Sequence, residues 1–85
     1  MELGVAIHEL VECYLCDYMD VSQAAVDDFD MAFEARRESG NIDEPGDDPL
    51  APYHFQHCVA TGVERIVIAL LGVNWKEYDD KINAL

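Results

Sequence analysis

LGVAIHELVECYLCDYM, residues 3–19, decides the fold class. Leu3, Ile7, Leu10, Val11, Tyr14, Leu15 and Tyr18 recur there at spacings of three and four, the period of an amphipathic helix and not of a strand. The pattern predicts a helix that begins almost at Met1, with no strand before it, and that buries a face centred near Ile7 and Tyr14.

The rest of the chain reads the same way. Ser22 is a good N-cap, and a second helix is expected from Gln23 to Arg37 with Val26, Phe29 and Phe33 on its inner face. Its acids (Asp27, Asp28, Asp30) come early and Arg36 and Arg37 come last, as the helix dipole favours, and Gly40 is a stop. Residues 40–52, GNIDEPGDDPLAP, hold three prolines, two glycines and four acids, so nothing there propagates a helix. The loop is long for a helix connection and lacks EF-hand spacing. A third helix is expected from Pro52 or Tyr53 to Leu71, its inner face made of Phe55, Val59, Val63, Ile66, Val67 and Leu70. Gly72 ends it. Asn74 and Glu77 form a capping box for a short fourth helix to Asn83. No segment reads as a strand and no repeat is visible. The expected fold is all-α, a single domain over residues 1–85: three helices packed as a small bundle, the fourth across one end, and a long acidic loop between the second and third.

Composition narrows the function classes. Apolar residues are 51% of the chain and charged residues 27%, which suits a folded domain rather than a disordered one. Eighteen acids against five bases give a net charge of −13. Phosphate is bound by Lys and Arg, so nucleic acid is excluded as a direct partner; cations or a basic protein surface are favoured. No apolar run reaches the roughly 18 residues of a membrane span, and the acidic start does not read as a secretory leader. Three cysteines (Cys13, Cys16, Cys58) suggest free thiols in a reducing, cytoplasmic compartment. The Cys13-x-x-Cys16 spacing lies inside a helix rather than at its start, where a redox pair would sit.

Chemistry is suggested by residues at the rim of the apolar faces. His8 and Glu12, four apart, point the same way from the first helix; Glu9 points away towards solvent. Asp30 and Glu34 form a similar pair on the second helix, more simply read as a solvated face. On the third, His54 and His57 are three apart, and His57 shares a line with Ala60 and Glu64. Histidines and carboxylates projecting from facing helices are how bundles build metal sites, and mixed ligands of this kind suit zinc, iron or manganese. The expected ligands are His8, Glu12 and His57, with zinc the leading ion and His54, Asp30 or Glu64 as fourth ligand or outer partner. The competing reading is a hydrogen-bonded cluster without an ion. A zinc peptidase reads His-Glu-x-x-His; here Glu12 replaces a ligand, and in a hydrolase Glu9 or Glu64 would be the base.

HELVE, VDDFDMAFE, EPGDDPLAPYHFQHCVATGVERIV and LGVNWKEYD, taken together, resemble a family of small uncharacterised phage and prophage proteins marked by HExxE, FDxxFE and PGDDPxAPYxxxHxxAxxxE. The likeness covers residues 6–79 and picks out His8, Glu9, Glu12, Phe29, Asp30, Glu34, Tyr53, His57 and Glu64, leaving His54 outside. It implies phage origin and relatives with more chain before the HExxE helix, but no activity. The functional expectation is an acidic module that binds and inhibits a basic, nucleic-acid-handling host protein, as anti-CRISPR proteins do. Asp27, Asp28, Glu38, Asp43, Glu44, Asp47 and Asp48 would meet its Lys and Arg, and a metal would staple the small core. A metal-dependent hydrolase is the alternative. Homodimerisation through apolar surface at Tyr14, Tyr18, Ile68 or Trp75 is a further expectation.

Overall fold

The computed structural model describes residues 2–84. It is all-α: α1 (Glu2–Tyr18), α2 (Gln23–Ala35), α3 (His54–Leu70) and α4 (Trp75–Asn83), with a one-turn 3₁₀ helix at Pro45–Asp47. No strand occurs among the described residues.

The helix ends follow from local chemistry. Ser22 accepts from the Ala25 amide at 3.1 Å and Asn74 from the Glu77 amide at 3.1 Å, each satisfying one amide that the first turn leaves unpaired. The reciprocal bond from Glu77 is not among the side-chain bonds of the described residues. Asp20 takes a φ of 59° at the end of α1, with the Val21 amide reaching back to the Cys16 carbonyl at 2.8 Å; Gly72, at 74°, ends α3 the same way. α2 stops at Ala35, two residues short of expectation, because Arg37 is drawn elsewhere. Its guanidinium grips both Glu34 oxygens at 2.8 Å and the carbonyls of Asn41 and Asp43 at 2.6 and 2.7 Å. That clamp sets the course of the chain towards Glu44.

α1 and α3 form the central pair. Gly4 lies against Ile68, His8 meets Glu64, Glu12 meets His57, and Gln56 donates to the Met19 sulfur; numbers rising on one helix fall on the other, so the pair is antiparallel. Tyr78 of α4 is buried against the start of α1, where a Cβ on Gly4 would overlap its ring. α2 packs on the 3₁₀ turn rather than on α1 or α3 and has no fully buried residue. The molecule is a slab of 36 × 35 × 19 Å.

The inner faces are turned from those the spacing predicts. The buried line of α3 is His57, Ala60, Glu64 and Ile68, while Phe55, Ile66 and Leu70 are 58%, 62% and 81% exposed. On α1 the side facing α3 carries Gly4, His8 and Glu12, while Leu10, Tyr14 and Tyr18 are 70%, 68% and 76% exposed. The reason is pairing. Histidine and carboxylate groups placed at the rim by sequence satisfy one another across the two helices, so their lines can face inward. Ile68 is fully buried and Trp75 half-buried beneath Arg65, whose guanidinium sits 5.0 Å from the indole, so neither contributes to an apolar outer surface.

Candidate metal centre

Glu12 is the hub of the inward cluster. One of its oxygens, Oε2, faces both the His8 Nε2 and the His57 Nδ1 at 2.9 Å. His8 presents its other nitrogen, Nδ1, to Glu64 Oε1 at 2.8 Å, and Glu64 accepts a further short hydrogen bond from the buried Tyr78 hydroxyl. The two imidazoles meet edge-on with centroids 4.9 Å apart. His57 and Glu64 are buried and His8 and Glu12 half-buried.

On its far side His57 turns Nε2 towards Glu44 at 3.2 Å and Asp47 at 3.1 Å. These are ion-pair distances, but neither oxygen lies in line for a hydrogen bond, and the buried Nε2 is left without one. The 3₁₀ turn reaches the ring only because residue 46 is glycine, since a Cβ there would overlap the imidazole. Two triads of ligand-type atoms therefore share His57, His8–Glu12–His57 through Nδ1 and Glu44–Asp47–His57 through Nε2.

The protonation state follows from the partners. An ionised carboxylate only accepts hydrogen bonds, and His8 has one at each nitrogen, so its ring carries both protons; the Glu12 hydrogen bond, against the opposing effect of burial, raises its pKa. Burial pushes His57 down, but hydrogen bonding to Glu12 and the nearness of Glu44 and Asp47 outweigh it and lift the ring to about 10. Burial pushes Glu12 up, and the His57 and His8 hydrogen bonds override it, holding the carboxyl at about 2. The Glu44 carboxyl is lowered by His57. Two imidazolium rings thus sit side by side among four acidic side chains, Glu12, Glu64, Glu44 and Asp47.

A cleft of about 510 Å³ opens beside the cluster between α1, α2 and the 3₁₀ turn. Val5, Cys16, Val26 and Asp30 are among its walls, and Glu9, expected to point away, also lines it while remaining exposed. Two of the expected outer ligands, Asp30 and His54, sit apart from the cluster. Asp30 takes the Tyr53 hydroxyl in a short hydrogen bond, and burial followed by that bond pushes the phenol above its usual range. His54 Nδ1 donates to the Gly46 carbonyl at 2.9 Å, a bond that helps hold the 3₁₀ turn on α3. Glu64 does join the cluster, through His8 rather than His57.

Of the acids assigned to docking, Asp27, Asp28, Glu38, Asp43 and Asp47 are exposed and Glu44 and Asp48 half-buried; Glu44 and Asp47 also lie beside His57. The glycine of EPGDDP was the available signal for that inward turn. Tyr53 and Tyr78 as carboxylate partners left no periodic signal. Cys16 has its thiol pushed up by burial and by Glu12 and Cys13 nearby, which opposes the thiolate a redox pair needs; all three cysteines are free. No helix among the described residues is long and apolar enough to cross a membrane. No family model matches the chain, and comparison with curated proteins and with solved structures gives no match.

Proposed function

We propose that the protein is an acidic metal-binding module in which His8, Glu12 and His57 hold one divalent ion, zinc first, and in which the surrounding carboxylates dock on, and inhibit, a basic protein that handles nucleic acid. The observation that carries the metal reading is Glu12 Oε2, set at 2.9 Å from two histidine nitrogens on two helices. Ligand atoms around a tetrahedral zinc with bonds of about 2.0–2.1 Å lie about 3.3 Å apart, so each contact has only to open by a few tenths of an ångström. Charge supports the same reading. If each imidazolium surrenders the proton it gives Glu12, a divalent ion replaces two protons and the net charge of the cluster is unchanged. Glu64 on His8 Nδ1, and Glu44 with Asp47 beside His57 Nε2, then act as the outer carboxylates that metal-bound histidines commonly have.

Docking rests on the exposed acids. Asp27, Asp28, Glu38 and Asp43 are exposed on α2 and the following turn, and with a charge of −13 they would speed encounter with a basic surface and fix its register. Phage origin, suggested by the family resemblance, belongs to the same proposal. The hydrolytic alternative is favoured by one observation, the presence of the Glu9 carboxylate in the cleft wall, from which it could act on water at the fourth position of a zinc ion.

Zinc titration of the purified chain, alongside Glu12→Gln and the double variant Glu44→Gln/Asp47→Asn, tests the metal reading. Loss of binding with Glu12→Gln and weaker binding with the double variant is expected; the reverse pattern moves the ion to the Nε2 side of His57. Capture of a host protein that weakens as salt rises tests docking. Glu9→Gln that kept zinc and stability yet abolished activity would establish the hydrolase instead.

A further inference from the structure

We infer that the chain forms a symmetric homodimer through the face of the α1–α3 pair that lies opposite the histidine cluster. Leu10, Tyr14 and Tyr18 of α1 and Phe55, Ile66 and Leu70 of α3 are all exposed. At 100° per residue each set makes one line along its helix. The His and Glu lines meet across the pair and His8, Glu12, His57 and Glu64 all border the one cleft, so the flanks of both helices remote from that cleft lie on the other side of the pair. Neither line contains a charged residue, and together they leave an apolar flank of the helix pair uncovered.

Three observations assign that surface to a second copy. The first is area. The chain exposes 5933 Å², against about 5,100 Å² for an ordinary monomer of its mass. The excess of about 850 Å² belongs to the whole slab, and it is of the order of the roughly 800 Å² that each partner gives a standard interface. The second is Gly62. Gly4 and Gly46 are required by close approaches, and Gly40 and Gly72 by positive φ, but a Cβ on Gly62 would meet nothing within 4 Å. Glycine weakens a helix interior relative to alanine, and nothing inside one chain requires it here. It lies in the middle of the exposed α3 line, where a partner helix would cross closely. The third is shape. A two-helix layer lacking charge is complementary to an identical layer, and stacking two such layers makes a four-helix bundle with an isologous contact. A basic partner recognised by charge would have nothing to pair with on this face.

The proposal stands apart from the metal and docking readings and responds to salt in the opposite direction. Two copies each of charge −13 repel, so salt strengthens the dimer by screening, whereas it weakens docking on a basic protein.

Sedimentation equilibrium on the full chain at moderate salt should give twice the 9.6 kDa chain mass, and the melting temperature should rise with protein concentration. Gly62→Leu enters open space in a lone chain and replaces glycine with a better helix former. It should weaken association at least about tenfold, a loss of one 1.4 kcal/mol step, while Met31→Glu, on the exposed side of α2, should leave association unchanged. A single-chain mass at moderate salt with a concentration-independent melting temperature overturns the proposal. So does a dimer that Gly62→Leu leaves intact, or one that Met31→Glu breaks equally.

Discussion

Gly46 lies flat against the imidazole of His57, so close that a single Cβ would overlap the ring. This contact lets the 3₁₀ turn deliver Glu44 and Asp47 to the Nε2 side of the histidine. It explains why a loop of prolines and acids contains a buried glycine. Gly46→Ala must push the turn outward or displace the ring. It should cost about 1–3 kcal/mol, the usual range for overpacking, seen as a lower melting temperature with helix content retained.

The Tyr78 hydroxyl does the equivalent for Glu64. Tyr78 is 1% exposed and Glu64 8%, so removing the hydroxyl leaves a buried carboxylate short of a donor. Tyr78→Phe, which preserves the ring, should destabilise by about 1–3 kcal/mol, read by thermal or denaturant unfolding.

Asp20 holds a φ of 59° where α1 turns into α2. A residue with a Cβ pays a steric penalty there that glycine avoids. Asp20→Gly should stabilise the chain by a few tenths to about 1 kcal/mol; no gain, or a loss, in melting temperature would show that the Asp20 side chain supports the turn.

The metal-free protein should have a stability optimum on the acid side of neutrality. His57, near 6.5 when unfolded, is lifted to about 10 in the fold, so its contribution is complete below 6.5 and drains away as pH rises towards 10. Glu12, near 4.5 unfolded, is held at about 2, so its contribution is complete above 4.5 and is lost as pH falls towards 2. Between those limits both are intact, and melting temperature with chelator present should peak between pH 4.5 and 6.5. A curve still rising from pH 7 to 9 would contradict the charged pairing of His57.

The sequence carried the element boundaries and the identities of the cluster, but not which way the helices face. Helical spacing located α1, α3 and α4 to within a residue or two, and His8, Glu12 and His57 do converge as expected. The inner face was misjudged because hydropathy alone orients a helix with its apolar line inward. It cannot see that His8 and Glu12 on one helix will be satisfied by Glu64 and His57 on another, 56 and 45 residues away. Nor does it show that Glu44 and Asp47, the latter still exposed, also come to lie beside His57. Their inward turn depends on Arg37 and Gly46, which act through backbone geometry that no periodicity records.

Isothermal titration of zinc into the chelator-treated chain at pH 7, repeated in two buffers of different ionisation enthalpy, addresses the central claim directly. The account predicts one ion per chain with release of about two protons, one from each imidazole, and for Glu12→Gln a loss of affinity greater than the roughly 10–100-fold cost of losing an outer partner. Zinc that fails to bind, or that binds Glu12→Gln as tightly as the parent chain, would leave His8, Glu12 and His57 as a hydrogen-bonded cluster and contradict the metal centre.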